Sequence, residues 1–291
     1  MIYQETRLGS RHVETWPRHI RKKEEFDDIP ADLRSLYEED TGTGFKPDIY
    51  LIYCPQSERM NAMLSEKLFY VFNSSLYYIE RVNSEPYRRC FLTENIQVLE
   101  IGFVLLDSWM TFSGHTENGE ETFTVYYNHV ISSFFERMVE LLRIMIIEIK
   151  YPPLYDNTVS NSIADISYEY MNYTRNIIFE DEAPVKYVFQ PAMADRHFKS
   201  SRTALTNSHI LMITDKEFIQ ITAGKTSMDR YGHIKTFYIK KHLNSPEFLK
   251  ANESQRSYLK LSSGAYNRNV LFDDTNMSDV MALTRSYIKE W

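Results

Sequence analysis

The sequence predicts an α+β protein, mainly β, with two strand-rich domains of sandwich or barrel type, each closed by a C-terminal helix. Two observations carry this. A strand pattern passes directly into a long apolar helix between Phe123 and Ile149, and the same order returns between Asn269 and Trp291. Aromatic residues make up 14% of the chain, with 21 Tyr and 17 Phe, a bias that suits pleated, half-buried surfaces. The expected organisation is a polar N-terminal arm (1–45), a first domain (46–150), a linker with a helix (151–175) and a second domain (176–291).

The bulk numbers allow this. A chain of 291 residues has room for two ordinary domains, and 43% hydrophobic with 25% charged residues suits a packed core rather than disorder. The net charge of −7 argues against a dedicated nucleic-acid binder. Residues 181–291 hold 16 Lys and Arg against 12 Asp and Glu, so the only positive excess lies there. Cys54 and Cys90 form no CxxC pair, which argues against a zinc or redox motif and for free thiols in a reducing cytosol. The first residues contain no apolar signal region. The most apolar run, Leu141 to Ile149, is short and carries Arg143 and Glu148, so it is not a membrane span.

In chain order, the arm reads as solvated and loosely packed, with a short helix from Ile29 to Glu39 and Pro30 near its first turn. Strand patterns follow at Asp48 to Tyr53, at Leu68 to Phe72 and Leu76 to Ile79 (two strands or, equally, one long bent strand), at Phe91 to Leu92 and at Ile96 to Ile101. Gly102 permits a bend into Phe103 to Leu106. Trp109 to Phe112 is next, and Asn118-Gly119 is a hairpin signal before the strand at Phe123. The helix begins near His129, where Asn128 can cap it. Ile131, Phe134, Phe135, Met138, Leu141, Leu142, Met145 and Ile149 recur at helical spacing, with Glu136, Arg137, Glu140 and Arg143 mostly off the stripe. Ile144, Ile146 and Ile147 widen the apolar sector beyond one face, which predicts a second covering surface. Tyr151-Pro152-Pro153 stops the helix. The linker carries helical spacing through Ile163, Ile166, Tyr170 and Tyr173. Strands then recur at 185–189, 203–205, 209–214, 218–222, 234–239 and 258–261.

The halves echo each other. Phe189-Gln190-Pro191 sits like Tyr53-Cys54-Pro55, Asn207-Ser208 like Asn73-Ser74, and Leu261 to Gly264 like Thr111 to Gly114. The second copy is longer, through the polar stretch Lys240 to Ser257. Ala204 to Ile213, Asp107 to Phe112 and the two terminal helices together resemble the pleckstrin-homology superfold, in particular the bacterial pleckstrin-homology-like and GRAM-like domains. The resemblance spans 46–150 and 176–291. It implies a non-catalytic tandem binding or scaffold module that recognises a protein, peptide or anionic head group. That module would be cytoplasmic or peripheral at a membrane through anionic lipid. An enzyme with an interdomain site and a structural homo-oligomer are the alternatives.

The family's phosphoinositide loop falls in copy two on Ala192 to Arg202. There Arg196, His197, Lys199 and Arg202 are the anion-binding candidates, because guanidinium and ammonium groups match phosphate. The plainer reading is a solvated polar loop. Lys235, Lys240, Lys241 and His242 form a second cationic cluster, read as a sheet edge kept soluble by lysine. Gly224-Lys225-Thr226 copies the end of a phosphate loop, but Ile219 stands where the first glycine belongs and no helix pattern follows. The eight histidines show no metal-ligand spacing and no GxSxG elbow is present, so neither metal nor cofactor is expected. Asp273 and Asp274 read as helix-start residues.

Overall fold

Short apolar and aromatic runs separated by turn residues fold here as antiparallel strands. The structure, a computed structural model, describes residues 17–59, 62–104, 106–182, 186–194, 204–223, 232–250 and 256–288. It is mixed α and β, mostly β. The chain divides into two compact units. One comprises residues up to Tyr70 together with Tyr78–Arg88, and the other Val71–Tyr77 with Arg89–Trp291.

The first unit contains β1 (Arg18–His19), α1 (Lys23–Asp27), α2 (Ala31–Thr41), β2 (Leu51–Cys54), β3 (Ser57–Arg59) and β4 (Ala62–Leu64), most of β5 (Lys67–Phe72) and β6 (Ser75–Val82), and the first half of β7 (Glu85–Leu92). The sheet order is β1-β2-β5-β6-β7, with β3 and β4 as a small separate hairpin. Asn73 and Ser74 break β5 from β6 at φ 47° and 56°, the left-handed turn that this pair allows. Residues 17–45 are not the loose arm expected. Phe26, Ile29, Leu33 and Tyr37 are buried, and the Tyr37 ring meets Tyr70 edge-on at 4.9 Å. Arg81 forks onto Asp32 at 2.6 and 2.9 Å. Apolar residues at helical spacing inside a charged stretch supply an anchoring stripe that the local composition hides.

The second unit opens with β8 (Ile96–Val104), β9 (Asp107–Thr116), β10 (Gly119–Asn128) and α3 (Ser132–Ile146). The linker holds two short helices, α4 (Thr158–Ile163) and α5 (Tyr168–Thr174), rather than one. Then come β11 (Lys186–Gln190), β12 (Met193–Ala194), β13 (Ala204–Thr206), β14 (His209–Ile213), β15 (Glu217–Ala223), β16 (Gly232–Ile239), β17 (Glu247–Lys250), β18 (Arg256–Ser263), β19 (Tyr266–Asp273) and α6 (Asp274–Ile288). Asp273 accepts the Thr275 N–H at 2.9 Å, the helix-start role expected of it.

A seven-stranded antiparallel sheet runs β10-β9-β8-β16-β15-β14-β11, beside a three-stranded sheet β17-β18-β19. β8 and β16 pair from Val104↔Gly232 to Val98↔Tyr238. The stretch 151–175 is therefore not a boundary between separate sheets, because strands from both halves of the chain share one. Leu211, Phe218, Leu259, Leu261, Phe272, Val280 and Leu283 form one buried cluster, which joins the large sheet, the small sheet and α6. Element order repeats along the chain. Strands β2, β5, β6 and β7, then β8-β9-β10 and α3, are followed by β11, β14, β15 and β16, then β17-β18-β19 and α6. The small hairpins β3-β4 and β12-β13 take the same place in each series.

β8 passes straight through Gly102, where a bend was expected. A Cβ there would lie 2.4 Å from the Trp109 indole, so the glycine makes room for that ring. β7 begins well before Phe91, and β17 occupies the polar stretch after Lys240. Both strands are largely exposed and lack the alternation that reveals a strand in sequence.

Candidate binding site

The site is built on α3 and the sheet face beneath it. Asn128 Oδ1 accepts the Val130 N–H at 3.0 Å and starts the helical segment. Phe135, Met138 and Leu142 form the buried stripe, and the Phe135 ring stacks on Tyr127 of β10 at 3.8 Å. Ile144, Ile146 and Ile147 are buried as well, as the wide apolar sector predicts.

Arg143 was expected off the stripe, yet it is 3% exposed. Its guanidinium lies between the rings of Phe179 and Phe237, at 4.7 and 4.2 Å from their centroids. Nε donates to both Glu217 oxygens at 3.2 and 3.1 Å, Nη2 donates to Glu217 Oε2, and Nη1 donates to the Ile177 carbonyl at 3.0 Å. Glu182 Oε2 is 3.7 Å from Nη2 and accepts the Phe179 N–H at 2.9 Å. Burial, then the neighbouring Glu217 charge, push the Glu182 carboxyl up to about 7 against the pull of Arg143. This cluster ties α3 to the segment after α5 and to β15.

Beside it opens a basin of about 400 Å³, within the size range of small-ligand pockets. Its floor is Ile101 of β8 with Lys235 and Phe237 of β16, and α3 supplies Glu136, Arg137 and Glu140 as one wall. Arg137 is paired with Glu140, which also accepts the Tyr155 hydroxyl. Arg175 lines the rim, is exposed, and has no ion-pair partner among the described residues. Lys235 is half-buried by area, and no described residue gives its ammonium a hydrogen bond or ion pair. Burial holds that amine below the usual lysine range. Glu136 opposes the shift and the Arg143 charge adds to it.

A smaller cavity shares Ile101, Glu136 and Lys235 with the basin and reaches His129 and His233. The Ser108 hydroxyl lies 3.2 Å from His129 Nδ1, and Phe103 stacks on the His129 ring at 4.1 Å. His233 sits between Phe103 and Tyr173, and its Nδ1 is buried without a partner among the described residues. Burial pushes His233 down to about 3, so it stays neutral.

A broader groove of about 660 Å³ lies on the opposite sheet face. There Glu100 accepts from Trp109 Nε1 at 2.9 Å, Thr236 at 3.0 Å, Tyr266 at 3.0 Å and Arg268 at 2.9 Å. Its charges hydrogen-bond one another, whereas the basin floor holds an ammonium that no described residue hydrogen-bonds or ion-pairs, with Glu136 as its nearest named counter-charge. The basin is therefore the stronger site for a charged ligand.

Arg196, His197, Lys199 and Arg202, and likewise Gly224 to Thr226, lie outside the described residues. The second cationic cluster is divided. Lys235 belongs to an interior strand and faces the basin, so it is no edge lysine. Lys240, Lys241 and His242 form a short turn after β16, where His242 Nε2 is 2.6 Å from the Glu94 carbonyl oxygen. Sequence reading missed Arg143, Glu182 and Glu217 because their partners are far apart in the chain. The one local signal is a single arginine inside an apolar helical run.

Among the described residues no group of three or more His, Cys, Asp or Glu could hold a metal ion, and no helix is long and apolar enough to cross a membrane. Comparison with family models, with curated proteins and with solved structures returned no match.

Proposed function

We propose that this chain is a tandem pleckstrin-homology-like binding module without catalytic function, and that its basin takes an anionic head group bearing phosphate or carboxylate. Support for the fold reading comes from the repeated order of four strands, three strands and a helix, with a small hairpin after the first strand of each series. The observation that carries the ligand reading is Lys235, a half-buried cation on the basin floor that no described carboxylate hydrogen-bonds or ion-pairs. Burying a charge without a partner is costly, and a bound anion would remove that cost. Arg175 at the rim adds a second cation.

Titration calorimetry with inorganic phosphate and glycerol phosphate, beside flotation with vesicles containing phosphatidic acid, separates a soluble ligand from a lipid one. Binding in either arm should weaken with added salt. Changing Lys235 to Met should lower it at least about tenfold, or roughly 1.4 kcal/mol. Joint replacement of Arg196, Lys199 and Arg202 by Ala distinguishes the loop from the basin. If neither phosphate compound nor vesicles bind at low salt, the reading is wrong. A partner protein docking on the same module is the scaffold part of this proposal, and co-purification with a stable stoichiometric partner would support it.

A further inference from the structure

We propose that Lys235 is a nucleophilic amine that forms a reversible imine with an anionic aldehyde or ketone held in the basin. This rests on the anion-binding reading above, because the anionic group brings the carbonyl to the amine.

The argument starts from where the lysine stands. β16 is an interior strand, and Lys235 pairs across to Ile101 of β8 on one side and Ile221 of β15 on the other. Apolar residues occupy the flanking positions, and an apolar side chain would fill this one at lower free-energy cost. Instead the position carries an amine on a long stem, opening into a cavity large enough for a small organic molecule. The charged and titratable groups around it come from several elements. Glu136 and Arg143 face it from α3, Arg175 lies at the rim, and His233 shares its face of β16. Arg143 is held by Glu217, which leaves Glu136 as the carboxylate lining both cavities with Lys235. Burial against the apolar floor favours the neutral amine, with Glu136 opposing and Arg143 adding to that preference.

The chemistry balances without a further reagent. Glu136, or water, takes the ammonium proton. The freed Nζ lone pair attacks the carbonyl carbon, and the C=O π pair moves to oxygen, which is protonated. The carbinolamine then loses water as its N–H proton departs, so one C=O bond is exchanged for one C=N bond. No oxidant or reductant takes part, and hydrolysis reverses the step. Arg175 is positioned to hold the anionic end of such a molecule at the rim.

The probe is pyridoxal phosphate, which carries an aldehyde and a phosphate. The full chain is incubated with it at pH 7, reduced with borohydride and mapped by peptide mass spectrometry. Lys235 should be labelled at least about tenfold faster than the exposed Lys150 and Lys241, since the basin holds the phosphate of the probe and so keeps its aldehyde beside the Lys235 amine. Excess inorganic phosphate should protect it. Lys235→Arg keeps a cation without a nucleophilic amine, so it should lose this adduct, whereas Lys235→Met should lose the adduct and phosphate binding together. Labelling confined to exposed lysines, with Lys235 unmodified, overturns the proposal. Phosphate binding without a Lys235 adduct overturns the imine alone. A Lys235 adduct that unphosphorylated pyridoxal forms equally fast, in a protein that does not bind phosphate, overturns the anion reading and leaves the nucleophile standing.

Discussion

Arg143 is the residue on which the second unit's polar interior turns. Its guanidinium lies over the rings of both Phe179 and Phe237 and donates to Glu217 and the Ile177 carbonyl. Removing one partner of such a pair leaves the other charge buried and unpaired. Arg143→Ala should therefore destabilise the fold by about 3–5 kcal/mol in a denaturant titration. A loss under about 1 kcal/mol would show that Glu217 finds water or protonates cheaply. Glu182 gives the same cluster a pH dependence. Its carboxyl is raised to about 7 in the fold from the ordinary 4.5, so between those values the folded chain binds the extra proton. Its contribution is full below 4.5 and is lost as pH rises through 7. His209 and His233, pushed down to about 4 and 3, act in the opposite sense: their contribution is present above 6.5 and lost as pH falls. Glu182→Gln should remove this falling contribution, so that stability rises more steeply from pH 5 to 7 than in the parent, and leave the acid side unchanged. Urea midpoints measured at both ends of that window would reveal this, and an identical profile for the parent and the variant would refute it.

The elements divide by how openly their sequences announce them. α3 is legible because its apolar residues recur at helical spacing, and its excess of isoleucines is buried: Ile146 is 5% and Ile147 6% exposed. Replacing either with Ser should cost about 2–5 kcal/mol, the range for emptying a core position. Unchanged thermal unfolding would mean that this end of α3 tolerates water. β8 misleads, since a glycine inside a strand reads as a bend. Here Gly102 clears space for the Trp109 indole, whose N–H is fixed on Glu100 at 2.9 Å. A methyl at that position must displace an anchored ring, so Gly102→Ala should destabilise by about 1–3 kcal/mol and alter the tryptophan emission. An unaltered spectrum would show that the ring swings aside freely.

At the scale of the whole molecule, the decisive contact is the pairing of β8 with β16. It merges strands from both halves of the chain into one sheet, so the repeat in the sequence does not produce two separable sheets. A fragment covering 176–291 would expose the β16 edge, with its unpaired backbone groups and the apolar side chains of Phe237 and Ile239. Expressed alone, it should aggregate or self-associate on size exclusion. A monodisperse, cooperatively folding fragment would show that β8 is dispensable.

By itself the sequence determined the mainly-β composition, the placement of most strands, and the two long helices α3 and α6. These are local properties: side-chain alternation, turn residues such as Asn118-Gly119, and helical spacing all act over a few residues. Tertiary structure alone decided that residues 17–45 are anchored, that Arg143 is buried, that Lys235 is an interior rather than an edge lysine, and that β8 joins β16. Each of these depends on partners far away in the chain, such as Glu217 for Arg143 or Ile101 beside Lys235. Charge patterns cannot distinguish a solvated arginine from one whose counter-ion arrives from another strand, because the free energy of burial is set by the partner and not by the residue.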